Sequence, residues 1–166
     1  MQTIWITGGS SGIGFAVAKK FLEENWRVVI SSRNEDKLIK AVESLKNLTK
    51  KNEIYYKPCN VSDYAEVNNT ISFIENEISN INIALLNATA YSPNRNQEFD
   101  INNYNLLIDV NLNGTINCID VLKDYMKGRN NLISIVSSPV GYRGMPTAGA
   151  YGMTNAAQLN LVESLY

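Results

Sequence analysis

The sequence predicts an α/β fold built on a doubly wound parallel sheet, strand order 3-2-1-4-5, with helices on both faces. Three observations carry that prediction. Short β-branched runs alternate with longer segments of helical period, the first run passes straight into a glycine-rich turn, and small and polar residues gather just after each run. Such alternation implies βαβ units and therefore a parallel sheet covered on both sides. Right-handed crossovers then place the switch in strand order between strands 1 and 4, and ligands in such folds lie beyond the carboxyl ends of the strands.

The first strand, residues 3–7, runs into Gly8-Gly9-Ser10-Ser11-Gly12-Ile13-Gly14, and a helix is expected over 12–25 from Phe15, Ala16, Ala18, Phe21 and Leu22. A strand, a glycine turn and a helix N-terminus together present backbone N–H groups to a phosphate. In that reading Gly8 makes the tight turn, Gly12 lets the backbone approach a pyrophosphate, and Gly14 lets the helix pack close to its strand. Ser10, Ser11 and Ile13 complete the loop as candidate cofactor contacts. An ordinary glycine-rich connection is the plainer alternative, but both flanks favour the nucleotide.

The second strand, 28–31, ends in Ser31-Ser32-Arg33 ahead of a helix over 35–51. An acidic residue here would hold adenosine ribose hydroxyls. Ser32 offers no carboxylate, whereas Arg33 can grip a 2′-phosphate bidentately, so NADP(H) is preferred, with NAD(H) as the alternative. The competing reading leaves Arg33 as a solvated cation before the helix. The third strand, 54–57, leads to Cys59-Asn60-Val61-Ser62-Asp63. Asn60 and Val61 are candidates to contact adenine, while Ser62 or Asp63 caps the helix over 63–79. After the fourth strand, 83–86, Asn87 and Ala88 would let a cofactor lie against the backbone.

A long helical segment, 101–127, carries Asn111 among apolar neighbours, where a polar side chain needs a partner: either a local kink or a site. The fifth strand, 132–137, ends in Ser137-Ser138, and Tyr151 lies in the helix that begins near Ala150.

Bulk properties narrow the function classes. The 166 residues suit one domain spanning 1–166, and the 45% hydrophobic and 19% charged composition is that of a globular protein. A net charge of −1 with no basic cluster argues against nucleic acid. No apolar run approaches the roughly 20 residues of a membrane span. Met1 leads directly into the first strand, so no signal peptide and a cytoplasmic location are expected. Cys59 and Cys118 are too few for a disulfide framework, and the absence of histidine removes His-based triads; no metal site is expected.

In order and at matching spacing, these residues resemble the short-chain dehydrogenase/reductase family. The resemblance rests on Gly8-x-x-x-Gly12-Ile13-Gly14, Asn60-Val61, Asn87-Ala88, Val110-Asn111, Ser138 and Tyr151. It implies a Rossmann domain and hydride transfer between nicotinamide and a small carbonyl or alcohol substrate. Tyr151 would move the proton, Ser138 would hydrogen-bond the carbonyl oxygen, and Asn111 would hold a relay water. It also implies a homo-oligomer built on the last helices, and a longer chain than this one.

One departure stands at the centre. Where the family has a lysine four residues after the tyrosine, favouring tyrosinate and holding the nicotinamide ribose, this chain has Asn155. An amide can still bond a ribose hydroxyl but brings no charge. Lys123 and Lys127 belong to the preceding segment. Two further readings therefore stand beside the oxidoreductase: a non-catalytic dinucleotide-binding protein, and an oligomeric interaction protein.

Overall fold

The computed structural model describes residues 1–93 and 99–165. Five parallel strands form one sheet in the order β3-β2-β1-β4-β5: β1 (Thr3–Thr7), β2 (Arg27–Ser32), β3 (Ile54–Pro58), β4 (Ile83–Leu86) and β5 (Leu132–Ile135). The expected strand order is the observed one. Among the helices are α1 (Gly12–Glu23), α2 (Glu35–Thr49), α3 (Tyr64–Phe73), α4 (Ile101–Leu107), α5 (Gly114–Met126) and α6 (Gly149–Leu165).

The period-2 pleat sorts each central strand into two cores. Ile4, Ile6, Val28 and Ile30 face one way and pack with Ala18 and Leu22 of α1 and Leu38 and Leu45 of α2. Trp5, Val29 and Ala84 face the other way, toward Val67 and Ile71 of α3 and Cys118 and Leu122 of α5. All five residues of β1 are buried, as the central strand of a doubly wound sheet requires. Trp5 satisfies its indole by donating Nε1–H to Ser31 Oγ at 2.9 Å across to β2.

Two expected helices are interrupted. The segment 63–79 is α3 followed by a π-helical turn at Ile74–Ile78, and 101–127 is α4, a π-helical turn at Ile108–Asn113, then α5. Hydrophobic period alone cannot register the extra residue per turn, because it shifts the apolar stripe only locally. The fifth strand is also shorter than 132–137. Val136 still donates to Leu86 at 3.0 Å, but β4 ends there, because the amides of Asn87 and Ala88 turn to Thr7 Oγ1 at 2.9 and 3.0 Å. With no partner strand to follow, Ser137 and Ser138 leave the sheet. Asp63, not Ser62, caps α3, accepting from Glu66 N at 3.1 Å.

Candidate active site

The carboxyl ends of β1 to β4 open onto a cavity of about 400 Å³. Its lining includes Gly8, Ser10, Ser11, Gly12, Ile13, Ser32, Arg33, Asn60, Val61, Asn87 and Ala88, which are eleven of the residues expected to bind a cofactor. The floor is the loop from β1 to α1. Ser11, the N-cap of α1, makes no side-chain capping bond, and the first turn of that helix holds no acidic residue. Its leading amides and the positive end of its dipole are therefore left for an anion. Helix α2, by contrast, is capped by Asn34 and carries Glu35 and Asp36 in its first turn.

Two glycines make that floor. Gly12 sits at φ +55°, and nothing lies within 4 Å of where a Cβ would stand, so the space above it is free for a phosphate. Gly14 lies beneath the loop, where a Cβ would come within 2.5 Å of the Gly8 carbonyl oxygen and 2.8 Å of Asn87 Nδ2. We expect Gly14→Ala to cost about 1–3 kcal/mol through overpacking against backbone. That is a fall in Tm of roughly 3–10 °C in thermal melts. Asn87 braces the same loop, donating Nδ2–H to the carbonyls of Thr7 and Gly8 at 3.1 and 3.3 Å.

At the far end of the cavity the β2–α2 connection contributes Ser32, Arg33, Asn34 and Lys37. Lys37 was not singled out by the sequence, although it stands four residues after Arg33. With Arg33 it places two cations in one wall. In the same lining, after β3, Asn60 accepts from Ser62 N through Oδ1 at 3.3 Å and donates its own backbone N–H to Glu66 Oε2 at 2.8 Å. Cys59 also lines this wall, but burial pushes its thiol up to about 11, which keeps it protonated and inert.

The expected catalytic residues lie beyond this cavity's lining, on elements that pack on one another. Ser138 opens a 3₁₀ turn (Pro139–Gly141) against the start of α6, the helix carrying Tyr151; a Cβ on Gly152 would stand 3.4 Å from Val140. Ser138 Oγ accepts a 3.4 Å contact from Val140 N, and its own hydroxyl proton stays available to donate. The Tyr151 ring packs edge-to-face with Tyr91, centroids 4.9 Å apart at 67°.

Asn111 lies in the π-helical turn, 1% exposed, with every hydrogen-bonding group of its amide in use. Oδ1 accepts from Ala90 N at 2.7 Å and Thr89 Oγ1 at 3.2 Å; Nδ2 donates to Ala90 O at 3.0 Å and Thr154 Oγ1 at 3.2 Å. Its carbonyl is also saturated, by Thr115 Oγ1 at 2.7 Å and Gln158 Nε2 at 2.8 Å. The two explanations for a buried asparagine thus coincide: it holds a distorted helix and ties three elements of the site together. The amide and the carbonyl of Asn111 thus both find partners within the protein. Thr154 and Gln158 were missed; with Asn155 they put polar side chains on the buried face of α6.

Asn155 is 2% exposed. It accepts from Ser137 Oγ at 2.9 Å and donates to its own helix at Tyr151 O, 2.8 Å. Its amide thus bonds α6 to the end of β5. Lys123 is engaged with Asp120 on the exposed side of α5, in a cluster with Tyr64, and supplies no cation here. Among the described residues no group of acidic, cysteine or histidine side chains could hold a metal, and no helix is long and apolar enough to cross a membrane.

A family model for short chain dehydrogenases matches residues 2–166. The chain belongs to that family. Among short-chain dehydrogenases it is 29% identical over 161 residues to a 3α-hydroxysteroid dehydrogenase of Mediterraneibacter gnavus, covering 96% of this chain and 64% of that protein. It is 33% identical over 165 residues to the 3-oxoacyl-[acyl-carrier-protein] reductase FabG of Rickettsia typhi, covering 99% and 65%. The chain therefore spans just under two thirds of these relatives. An alcohol dehydrogenase from Thermococcus sibiricus, complexed with 5-hydroxy-NADP, superposes with a TM-score of 0.91 at 25% identity, over 99% of this chain and 70% of that one. An NADPH-bound short chain oxidoreductase of Pseudomonas aeruginosa with an atypical catalytic centre gives 0.92 at 22% identity, over 99% and 64%, a likeness of fold.

Proposed function

We propose that residues 1–166 form one dinucleotide-binding domain of an oxidoreductase that moves a hydride between NADP(H) and the carbonyl or alcohol carbon of a small molecule. One observation carries this reading. The cavity beyond β1–β4 has an uncapped, acid-free helix N-terminus at one end and Arg33 with Lys37 at the other. Two anion-binding regions in one cleft suit the pyrophosphate and the 2′-phosphate of a single dinucleotide. The bound nicotinamide would supply or accept the hydride.

The chain's own residues account for the proton and the oxygen. Tyr151 gives its phenolic proton to the carbonyl oxygen on reduction and takes it back on oxidation. Ser138, with its hydroxyl proton free, donates to the same oxygen as charge develops there. Asn111 acts as a positioning residue, through Ala90 and Thr154. A second reading is favoured by Asn155: with an amide bonded to Ser137 and Tyr151 O where the family has a cation, the domain binds the dinucleotide without turning it over.

The test is a fluorescence titration of the chain with NADPH and NADH. Micromolar affinity with NADPH preferred is the expected result. Absence of binding to either nucleotide overturns both readings, and turnover of NADPH with a panel of ketones separates the first from the second.

A further inference from the structure

One side chain grips two segments that meet at Tyr151. On one side the Asn111 amide accepts from Ala90 N at 2.7 Å and donates back to Ala90 O at 3.0 Å, pairing with both backbone groups of that residue. The two bonds fix where the chain leaves Ala90, and the next residue is Tyr91. On the other side Asn111 Nδ2 donates to Thr154 Oγ1 at 3.2 Å, and that hydroxyl donates to Tyr151 O at 3.0 Å. Asn155 Nδ2 donates to the same carbonyl at 2.8 Å. Two tyrosines from distant parts of the chain therefore stand on one hydrogen-bonded frame.

Their rings meet edge-to-face, with centroids 4.9 Å apart at 67°. A tyrosine side chain keeps two torsions of its own, and bonds to its carbonyl fix neither. The ring contact acts on both: such a pair favours the orientation that makes it by roughly two- to tenfold. Tyr91 is itself 60% exposed, so the contact is no by-product of core packing. Orientation counts when a proton is to be passed. The phenolic oxygen must come within about 2.6–3.2 Å of the oxygen that takes the proton, and a misplacement of about 1 Å can cost 10²-fold. Asn155 brings no charge to draw that oxygen into place, which leaves packing to aim the phenol.

We infer that Tyr91 is a positioning residue, whose ring holds the Tyr151 phenol in the direction from which its proton reaches the carbonyl oxygen. Tyr91 acts through its ring and not through its hydroxyl. The inference rests on the oxidoreductase reading for its reaction, but the ring contact is measurable without turnover.

The wild type, Tyr91→Phe and Tyr91→Leu test it. In NMR spectra of the chain with ring-labelled tyrosine, the signal that Tyr151→Phe removes belongs to Tyr151. Tyr91→Leu should move that signal, because the current of the neighbouring ring is lost, and Tyr91→Phe should leave it near its wild-type position. Steady-state rates with NADPH and cyclohexanone, acetophenone or ethyl acetoacetate give the second readout. Tyr91→Leu should lower kcat roughly five- to tenfold with KM within about twofold, and Tyr91→Phe should restore the wild-type rate. A Tyr151 signal unmoved in Tyr91→Leu overturns the inference, as does a loss carried by KM. A Tyr91→Phe variant as slow as Tyr91→Leu also overturns it, by moving the role to the hydroxyl. Tyr91 is too exposed for its loss to unfold the chain, which melting curves check. A chain that reduces no ketone in any form overturns the oxidoreductase reading, and with it the role of Tyr91 in the reaction; unchanged rates across three active forms overturn the role alone.

Discussion

Asn155→Lys raises carbonyl-reducing turnover by at least about tenfold, the lower part of what a positioned acid–base group contributes. The physical reason is charge. A tyrosine's ordinary pKa is about 10, and an ammonium one helical turn away favours the phenolate. The activity profile of the variant should therefore move to lower pH relative to the wild type in the oxidation direction, where the phenolate must accept a proton. The substitution also has a structural cost. Ser137 Oγ loses the acceptor it has on Asn155 at 2.9 Å, and Tyr151 O loses the amide at 2.8 Å. Asn155→Met, with a comparable stem and no charge, carries that cost alone and should leave turnover at or below the wild-type level. Steady-state kinetics of the two variants, with melting curves, separate charge from packing. Equal turnover in lysine and methionine variants would show that the missing cation is not what limits the site.

Arg33→Ala weakens NADPH by roughly 10–100-fold, the worth of a hydrogen bond to a charged group, and NADH by little. Lys37 stands in the same wall, so the single variant should fall toward the lower bound, and Arg33→Ala combined with Lys37→Ala should reach the upper one. Exposed cations are screened, and the NADPH preference should shrink as salt rises. Fluorescence titration at two ionic strengths reads both effects. Equal losses for NADPH and NADH would remove the 2′-phosphate from Arg33.

Much of the architecture is local in origin. The β-branched run at 3–7, the glycines at 8, 12 and 14 and the apolar stripe of α1 are set by short-range stereochemistry and period, and they fold as expected. The same holds for the order of the strands, because right-handed crossovers leave few alternatives. Eleven expected cofactor contacts meet in one cavity because each follows a strand whose carboxyl end faces the same side.

The rest depended on contacts between residues far apart in the chain. Thr7 Oγ1 ends β4 by drawing off the amides of residues 80 and 81 positions later, and β5 stops with it. No local propensity contains that. Asn111 needs Ala90 and Thr154 to show why a helix should break at 108–113. The sequence reads Asn155 as a contact to a ribose hydroxyl; the bond it accepts from Ser137, which ties the segment after β5 to α6, has no signal in the local sequence. The sequence by itself determined the doubly wound sheet, the glycine-rich turn after β1 and the basic residue after β2, because backbone sterics and side-chain period act over a few residues. Tertiary structure alone decided which buried amides hold the frame, since a hydrogen-bond partner is chosen by proximity in space.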